Sequence, residues 1–354
     1  MLLYISRTRL NRNSVSKVRF KLMLSVSPES RYFSSTNDSK DNTLVPPSKP
    51  HEIFIPLLPH RNIAFKSINL IFFNLASLFM VLIKRPRIVV VHDSVSALLI
   101  SFFKNILKIK LVIDFHEIIW SAGYGNITSS VFKKIESIVI KKTDFAIFSS
   151  DQRKDILLSE HDIEIANTVI PNFPDTPELK IKQKTSNDLK GIFFGAVNDI
   201  TFETLYALLG SIKLSVDVYA FGSKSNLLKE KISSNSKVKV FEPFNYGDLG
   251  KVLAKYDFSI CVYPGGHLNN EFCEPRKLYE SLGYGLPVLI NDLKGPKTNP
   301  LVNKYLINQN SISKKNILEA KQLLMKDREE LISTFKKLRS KGSDDFVGWL
   351  LKKY

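Results

Sequence analysis

Titratable residues follow two apolar runs in the first half of the chain. The run VVVHDS places His92 and Asp93 after one candidate strand, and LVIDFHEIIW places Asp114, His116 and Glu117 at the end of the next. Open parallel sheets bind ligands at the carboxyl ends of their strands, where acids and bases can act together. The spacing predicts a polar site there, although histidines that only satisfy loop carbonyls would give the same pattern.

Two strand-to-loop junctions in the second half carry glycine. The run FFGAVND contains Gly195, and YAFGSKSN contains Gly222, Ser223 and Lys224. A glycine lets a phosphate approach the backbone, and the helix that follows offers free N–H groups. These residues are candidate diphosphate ligands. A tight turn and a solvated lysine remain the alternative, since no dinucleotide or triphosphate glycine motif is present.

The stretch EPRKLYESLGYGLPVLIND begins like a helix that carries Pro275, Arg276 and Lys277 in its first turn. Proline is tolerated there, but cations are disfavoured at the positive end of a helix dipole. An anion at this helix start would compensate. Glu280 lies three residues after Lys277 on about the same face and can accept hydrogen bonds from vicinal sugar hydroxyls. An ion pair between the two residues on a solvated helix is the alternative.

Around these sites, short apolar runs alternate with helical segments, as in parallel sheets covered by helices. The predicted strands of the first half are 2–6, 31–35, 52–57, 87–91, 110–114, 145–149 and 168–170, with helices at 15–24, 68–83, 94–106, 129–142 and 152–160. The predicted strands of the second half are 191–194, 216–221, 238–241, 258–262 and 287–291, with helices at 201–209, 246–255 and 317–340.

The length of 354 residues suits two α/β domains. The predicted organisation is a first domain over 1–175, a Pro-rich polar linker over 176–187 and a second domain over 188–340. The apolar piece at 341–354 is expected to form a short helix that packs back on the first domain.

The composition indicates a globular protein with an anionic partner. Lys and Arg number 51 against 34 Asp and Glu, a formal net charge of +17. The two cysteines, Cys261 and Cys273, form no metal-binding or disulfide pattern, which favours a reducing cytoplasm and a protein without a metal. The acid-free start, residues 1–28, has the composition of a transit peptide, but we favour a first strand, a basic loop and a helix.

The most apolar segment, INLIFFNLASLFMVLIKR, has sixteen residues before Lys84 and includes Asn69, Asn74 and Ser77. A membrane-spanning helix needs about 20 largely apolar residues, so a helix buried beside a sheet is predicted. A shallow position at a membrane interface, with basic residues near the phospholipid headgroups, is the alternative.

Several runs, taken in order, resemble the GT-B glycosyltransferases of the family 4 group. PRKLYESLGYGLPVLI resembles the P-x-K-x-x-E signature with its later G-x-P-V, and this match is the most specific. The other similar runs are IKRPRIVVVHD, VIDFHEI, KKTDFAIFSS, VIPNFPD, FFGAV and VYAFGSKS. Together they extend from about Arg85 to Asp292.

The resemblance implies an α/β GT-B fold, with two Rossmann-like domains facing a central cleft, and sugar transfer from a UDP- or GDP-sugar. It implies that Glu280 binds the ribose and that Lys277 and the Gly195 loop bind the diphosphate. It places the base at the segment that ends in Phe244. Gly222, Ser223, Lys224 and Arg276 complete the expected nucleotide site. His116 and Glu117 are the expected catalytic residues, with no metal and no cofactor beyond the donor substrate.

Two departures from the family pattern stand out. Phe272 occupies the position where fuller signatures have a glutamate eight residues before Glu280, and the run NDITFETL after the glycine loop lacks the usual basic pair. Lys224 or Arg276 are the candidates to replace that pair. The stereochemical course, retaining or inverting, stays open.

The expected acceptor is a saccharide or a lipid-linked, growing surface polysaccharide at the cytoplasmic face of a membrane. Arg7, Arg9, Arg12 and His92 are the expected acceptor-side residues, and peripheral contact with an anionic membrane is expected to accompany them. The alternatives are a sugar-nucleotide epimerase of the same fold and a non-catalytic basic binding protein. Nucleic acid is not an expected partner, because the aromatic residues lie mostly inside apolar strands and helices.

Overall fold

The structure, a computed structural model, describes residues 1–7, 15–36, 52–56, 63–122, 125–173 and 188–353. These residues form two compact units. The first comprises Met1–Pro171 together with Leu338–Tyr354, and the second comprises Asn172–Lys337. The predicted linker 176–187 lies outside the described residues, as do Arg9 and Arg12.

The first unit is built on a seven-stranded, fully parallel sheet. The strands are β1 Leu2–Ser6, β2 Arg31–Thr36, β3 Glu52–Pro56, β4 Ile88–His92, β5 Lys110–Phe115, β6 Phe145–Phe148 and β7 Asn167–Val169. Their order is β3-β2-β1-β4-β5-β6-β7. β1 and β6 are buried along their whole length, and β4 is buried up to its last residue, His92, as continuous apolar runs predict for a sheet covered on both faces.

Five helices connect these strands. They are α1 Val15–Val26, α2 Ile63–Lys84, α3 Leu98–Phe103, α4 Asn126–Ile140 and α5 Asp151–His161. The helix predicted at 94–106 is a 3-10 turn, Val95–Ala97, followed by the short α3. The start of α5 follows from its sequence, because the Ser150 hydroxyl accepts a hydrogen bond from the Arg153 backbone N–H, 3.3 Å away.

The second unit contains a six-stranded parallel sheet. Its strands are β8 Lys190–Ala196, β9 Ser215–Phe221, β10 Val238–Phe241, β11 Phe258–Cys261, β12 Val288–Ile290 and β13 Leu306–Asn308. Their order is β10-β9-β8-β11-β12-β13. The sequence predicted helical structure throughout the region after Asp292, and β13 shows that this was wrong at one short, three-residue strand.

The helices of this part of the chain are α6 Phe202–Ser211, α7 Ser225–Lys231, α8 Leu249–Leu253, α9 Leu268–Glu271, α10 Arg276–Gly283, α11 Lys294–Thr298 and α12 Lys314–Lys353. The predicted helix 246–255 is a 3-10 turn, Tyr246–Asp248, that leads into α8. The predicted separate helix at 341–354 is instead the end of the 40-residue α12, because no proline or helix-ending turn interrupts the segment.

The last part of α12 belongs to the first unit. Phe346 and Leu350 are buried in one cluster with Phe20 and Met23 of α1. The chain approaches closely at Gly342, where an added Cβ would overlap the carbonyl oxygen of Val169. A residue without a side chain is therefore required at this point of the helix.

In both sheets the order of the strands reverses at the first strand, between β1 and β4 and between β8 and β11. At such a switch point the loops diverge and leave a crevice at the carboxyl ends of the strands, where ligands of open sheets bind. The predicted site residues of each unit follow these strands.

Candidate functional site

In the first unit, Asp114 is the centre of a buried polar cluster at the switch point. Register places His92 of β4 beside Asp114 of β5, and Tyr4 comes from β1. The Tyr4 hydroxyl donates to Asp114 Oδ2 over 2.8 Å, and His116 Nε2 lies 2.9 Å from the same oxygen. The two imidazole rings are adjacent, with centroids 4.4 Å apart. The predicted histidines and the aspartate therefore lie together.

A buried cation faces the other side of this carboxylate. Arg19 of α1 is 1% exposed, and its Nε lies 3.7 Å from Asp114 Oδ1. Its terminal nitrogen donates to the Ile170 carbonyl over 2.6 Å. The sequence reasoning missed Arg19, because its strongly basic surroundings gave no sign that this arginine is buried.

These neighbours set the charges of the cluster. Burial lowers the pKa of His116 from 6.5 to about 4 and outweighs the attraction to Asp114. Burial pushes the pKa of Asp114 upward, but His116 and Arg19 hold it well below its usual range. At neutral pH the cluster thus holds an aspartate anion and a neutral imidazole. Since the anion needs a donor, His116 carries its proton on Nε2 and keeps the lone pair on Nδ1.

Among the described residues, one group of side chains could hold a metal ion, and it consists of His92, Asp114 and His116. One ligand atom each from His92, Asp114 and His116 lie within 4.8 Å of one another. The donor set suits a transition metal, but Tyr4 already donates to the carboxylate and the Arg19 cation opposes a second positive charge. The cluster fits a hydrogen-bonded network better than a metal centre.

The other predicted residues of this unit lie around the cluster. Glu117 is exposed. Arg7 forms an ion pair with Asp93, the residue directly after His92, and the guanidinium nitrogen lies 2.7 Å from Asp93 Oδ2. Asp93 adopts a left-handed backbone, φ +78°, and accepts the Ser96 N–H, so the loop after β4 is tightly turned.

In the second unit, two glycine loops are joined at the ends of β8 and β9. Val197 N–H donates to the Phe221 carbonyl over 2.7 Å, and Lys224 N–H donates to the Val197 carbonyl over 3.0 Å. Gly222 has φ +106°, and a Cβ there would lie 2.8 Å from the Val197 oxygen. Glycine is thus required at 222 for this pairing of loops.

Two of the expected nucleotide ligands on these loops are Lys224, which pairs with a carboxylate, and Ser223, which faces solvent. Lys224 Nζ lies 3.1 Å from Asp199 Oδ1 across the two loops. Ser223, beside it, is exposed.

Lys277 lies beside the first glycine loop. Gly195 has φ +144°, and a Cβ at this position would be 3.9 Å from Lys277 Nζ. The ammonium also faces the rings of Phe193 and Tyr263, 4.6 and 4.8 Å from their centroids. Within the described part of the chain, no carboxylate lies within 4.0 Å of this ammonium. The arrangement leaves a cation beside the backbone of the first glycine loop.

Glu280, one turn further along α10, is held by two groups. Arg276 Nε lies 2.7 Å from Glu280 Oε1, and the Tyr246 hydroxyl donates to the same oxygen. Arg276 also donates to the Tyr246 hydroxyl. Burial and the Glu280 charge raise the pKa of Tyr246, so the phenol keeps its proton. Arg276 therefore faces Glu280 and not the glycine loop.

Tyr246 was missed because the sequence reasoning treated it only as the first residue of a helix. The signal available was its position two residues after Phe244 in an aromatic loop. Phe244 itself is half-buried and packs against Tyr219, with centroids 5.1 Å apart, and against Phe194. The predicted base-binding segment thus leads directly to the residue that contacts Glu280.

The structure explains the unusual residue Phe272. Phe272 ends α9, and its ring lies 5.8 Å from Lys294 Nζ. Its backbone packs on Gly295, where a Cβ would be 3.0 Å from the Phe272 carbonyl carbon. Glu271, one residue earlier, accepts the Gly266 N–H over 3.2 Å and pairs with Lys294 at 2.7 Å. Glu271 thus contacts the loop after β11, while Phe272 packs on Gly295.

Glu274, the other neighbouring carboxylate, has a packing role. It is 7% exposed and accepts hydrogen bonds from the Tyr279 hydroxyl and from Asn299 Nδ2, the latter at 3.0 Å. These contacts join the start of α10 to the end of α11.

No protein-family model and no curated protein matches the sequence. Solved structures do match its fold over nearly the whole chain. Sucrose-phosphate synthase from Thermosynechococcus elongatus aligns with a TM-score of 0.73 at 12% identity, over 99% of this chain and 100% of that one. An alpha,alpha-trehalose-phosphate synthase (UDP-forming) from Burkholderia vietnamiensis aligns with a TM-score of 0.63 at 9% identity, over 99% of both chains.

A putative UDP-N-acetylglucosamine 2-epimerase from Listeria monocytogenes aligns less well, with a TM-score of 0.55 at 15% identity, over 93% of this chain and 89% of that one. Together with the two parallel sheets, these matches confirm the predicted α/β GT-B fold. At these identities the likeness concerns the fold alone.

Proposed function

We propose that this chain is a glycosyltransferase that moves a hexose from a nucleotide-diphosphate sugar, UDP- or GDP-linked, to an acceptor hydroxyl. The bond between the sugar C1 and the diphosphate oxygen breaks, a bond from C1 to the acceptor oxygen forms, and the acceptor loses its proton. The observation that carries the proposal is the Lys277 ammonium beside Gly195, one helical turn from the buried carboxylate of Glu280.

In this proposal Lys277 and the Gly195 loop hold the diphosphate. An ammonium with aromatic neighbours and no carboxylate in contact suits an anion that it can stabilise as negative charge develops on the leaving group. Lys224 is the second cation, released from Asp199 when a phosphate takes its place. Gly222 and Ser223 supply the turn and a hydroxyl donor.

Glu280 accepts hydrogen bonds from the ribose hydroxyls. Tyr246 and Arg276 contact this carboxylate in the structure. We propose that the ribose replaces the Tyr246 hydroxyl while Arg276 keeps the carboxylate oriented. The base packs at Phe244, whose ring is half-buried on an aromatic surface.

His116 orients a substrate hydroxyl. With a pKa of about 4, the imidazole is a weak proton acceptor at neutral pH, and its Nδ1 lone pair suits a hydrogen bond from a hydroxyl better than full proton removal. Asp114 fixes the tautomer. Glu117, exposed beside it, is the carboxylate that we propose as the base.

For the acceptor we propose a lipid-linked or growing surface polysaccharide at the cytoplasmic side of a membrane. His92 and Arg7, with Arg9 and Arg12 outside the described residues, are the proposed acceptor-side groups. Two buried free cysteines suit the reducing cytoplasm. We propose no metal in the reaction, because cationic side chains can neutralise the diphosphate, and no nucleic-acid partner.

A thermal-shift panel of UDP, GDP, CMP and ADP tests the donor site. We expect selective stabilisation by UDP or GDP in the parent protein and its loss in Glu280→Gln. A hydrogen bond to a charged group contributes about 1.5 to 3 kcal/mol, so the nucleotide Kd should rise roughly tenfold to 150-fold. Glu319→Gln, which removes a carboxylate 63% exposed on α12, is the matched control and should bind like the parent.

If Glu280→Gln is poorly folded, Lys277→Gln gives the same test through the diphosphate. No response of the parent to any nucleotide would contradict the donor site. An equal response of parent and both variants would contradict the residue assignment.

A sugar-nucleotide epimerase is the second candidate, favoured by the fold match to the epimerase. Incubation with donor sugar alone separates the two activities, because an epimerase converts the donor without an acceptor and a transferase requires one. A non-catalytic binding protein would bind nucleotide and consume no donor in either mixture.

A further inference from the structure

We infer that the outer face of α2, together with the end of α3, lies in the headgroup region of an anionic phospholipid bilayer. This surface is remote in sequence from the donor residues, and the inference does not depend on the proposed reaction. Residues 67–84 form the one described helix that is long and apolar enough to cross a membrane, with a mean hydropathy of 1.8 and 33% of its residues buried.

The outward side of α2 is an uninterrupted apolar stripe. Between residues 68 and 83, every position classed as exposed carries a large apolar side chain, from 48% to 62% exposed. The stripe residues are Ile68, Ile71, Phe72, Leu75, Phe79, Leu82 and Ile83. Their spacing of three and four residues keeps them on one side of the helix for about four turns.

The polar residues of α2 are on the other side, toward the protein. Asn69, Asn74 and Ser77 are buried, and Asn74 Nδ2 donates to the Val95 carbonyl over 3.1 Å. A helix on a water-exposed surface normally has the opposite arrangement, with apolar residues inward and polar residues outward. The predicted position of this helix beside a sheet is correct, but the prediction that it is buried is wrong for the outer face.

The inner side of the helix packs on the sheet. Phe73, on its inner side, stacks on Phe33 of β2 with ring centroids 5.7 Å apart. One packed side and one apolar, exposed side are the properties of a helix that lies in the plane of a membrane interface.

The apolar surface continues onto α3 and the turn after it. Phe102, Phe103 and Ile106 are 49%, 41% and 75% exposed. Asn74 joins α2 to the segment that starts α3, through its bond to Val95 and a hydrogen bond from Leu99 N–H at 3.4 Å. An exposed apolar surface of this extent indicates an interaction site.

Charge distinguishes a lipid surface from other occupants. From residue 63 to residue 113 the sequence contains seven Lys and Arg and one carboxylate, Asp93, which is 8% exposed and paired with Arg7. A second copy of the chain would present the same cations and offer no complementary charge. An anionic bilayer offers both an apolar interior and a negative surface.

The cations lie at one end of the stripe. Lys84, Arg85, Arg87 and Lys108 are exposed. Lys110 is also exposed, but its ammonium pairs with Asp144 at 3.5 Å. The backbone joins their two segments, since Lys110 N–H donates to the Arg87 carbonyl over 2.9 Å. We therefore expect the apolar stripe to enter the bilayer boundary with these cations among the lipid phosphates.

Co-flotation of the full chain with vesicles tests the inference. We expect binding to phosphatidylcholine vesicles that contain about one-third phosphatidylglycerol, and much weaker binding to phosphatidylcholine alone. Phe72→Ser with Phe79→Ser should reduce binding to the anionic vesicles tenfold or more. The control pair is Ile200→Ser with Leu318→Ser, which removes exposed apolar side chains from the second unit and should leave binding unchanged.

A second pair tests the charges without altering the apolar surface. Arg85→Gln with Lys108→Gln should weaken binding by about an order of magnitude at low salt, with little loss at high salt, where the parent also loses the charge contribution. Lys251→Gln with Lys315→Gln, at positions 82% and 81% exposed in the second unit, removes the same charge and should have no effect.

Three results would overturn the inference. One is a parent protein that binds neither vesicle, and another is binding that is retained both by Phe72→Ser with Phe79→Ser and by Arg85→Gln with Lys108→Gln. The third is a parent protein that does not bind vesicles but is a dimer by analytical ultracentrifugation, while Phe72→Ser with Phe79→Ser is a monomer. That result would assign the surface to a second copy of the chain. Loss of vesicle binding with intact nucleotide binding, or the reverse, separates this inference from the proposed donor site.

Discussion

The first unit is expected to lose stability in mild acid because it buries a neutral histidine. The pKa of His116 is about 4 in the folded protein against 6.5 as its ordinary value, and the side chain is 11% exposed. Between these two pKa values the unfolded chain binds a proton that the folded chain does not. The stability that comes from the neutral imidazole is thus complete above pH 6.5 and falls as the pH falls toward 4.

The size of the effect follows from that difference. From about pH 7.5 to about pH 4.5, the linkage relation gives a loss of roughly 2 to 3 kcal/mol from this histidine alone. Asp114, whose pKa is held well below its usual range, stays charged over this interval and begins to contribute only at lower pH.

Urea denaturation followed by tryptophan fluorescence measures this loss. Both tryptophans, Trp120 and Trp349, lie in the first unit, so the signal reports the unit that contains His116. In His116→Gln the amide can still donate to Asp114 but cannot titrate, and its loss of stability between the two pH values should be smaller than that of the parent by roughly 2 to 3 kcal/mol. His267→Gln, in the second unit, is the control.

The histidines and carboxylates outside the cluster of His92, Asp114 and His116 are the same in the parent and the variant, so the difference isolates the cluster that contains His116. If His116→Gln loses as much stability as the parent over the same interval, the imidazole is not buried in its neutral form and the tautomer assigned to it has no basis.

Two further predictions concern close backbone approaches. Gly342→Ala should destabilise the first unit by about 1 to 3 kcal/mol or more in the same urea assay, because its Cβ would overlap the Val169 carbonyl. Gly348→Ala, which has open space around it, should stabilise the same helix by about 0.5 to 1 kcal/mol. Equal effects of the two substitutions on stability would refute the contact. Gly222→Ala should lower the melting temperature by several degrees and weaken nucleotide binding, since φ is +106° and Val197 O is 2.8 Å from the new Cβ; an unchanged protein would show that the loop tolerates a side chain.

Local sequence determined most of the secondary structure. Apolar runs bounded by turn residues predicted twelve of the thirteen strands within a few residues, because buried parallel strands require continuous apolar segments. The exception, β13 Leu306–Asn308, has three residues and too little sequence to show a period. The start of α10 at Pro275 and the loop glycines were also readable, since each depends on its own backbone conformation.

The partners of the charged residues depended on the tertiary structure. The sequence offered Lys277 for the diphosphate and Lys224 or Arg276 as replacements for the missing basic pair. Folding pairs Lys224 with Asp199 and turns Arg276 toward Glu280, while Lys277 lies beside Gly195. The contacts of Lys224 with Asp199 and of Lys277 with Gly195 join residues far apart in the chain, so no local pattern reports them. The Arg276–Glu280 pair is separated by four residues on one helix and is the pairing that a local pattern could have indicated.

The same distinction holds for α2. Its composition showed an apolar helix. Because apolar residues occur on nearly every side of it, the sequence could not show which side would pack against the sheet. The tertiary structure decided this, because Asn74 bonds to the Val95 backbone and turns the polar side of the helix inward. The sequence by itself determined that this helix is apolar on nearly every side, and the packing of the sheet determined that Phe72 and Phe79 face outward, since a helix can cover only one side against a sheet.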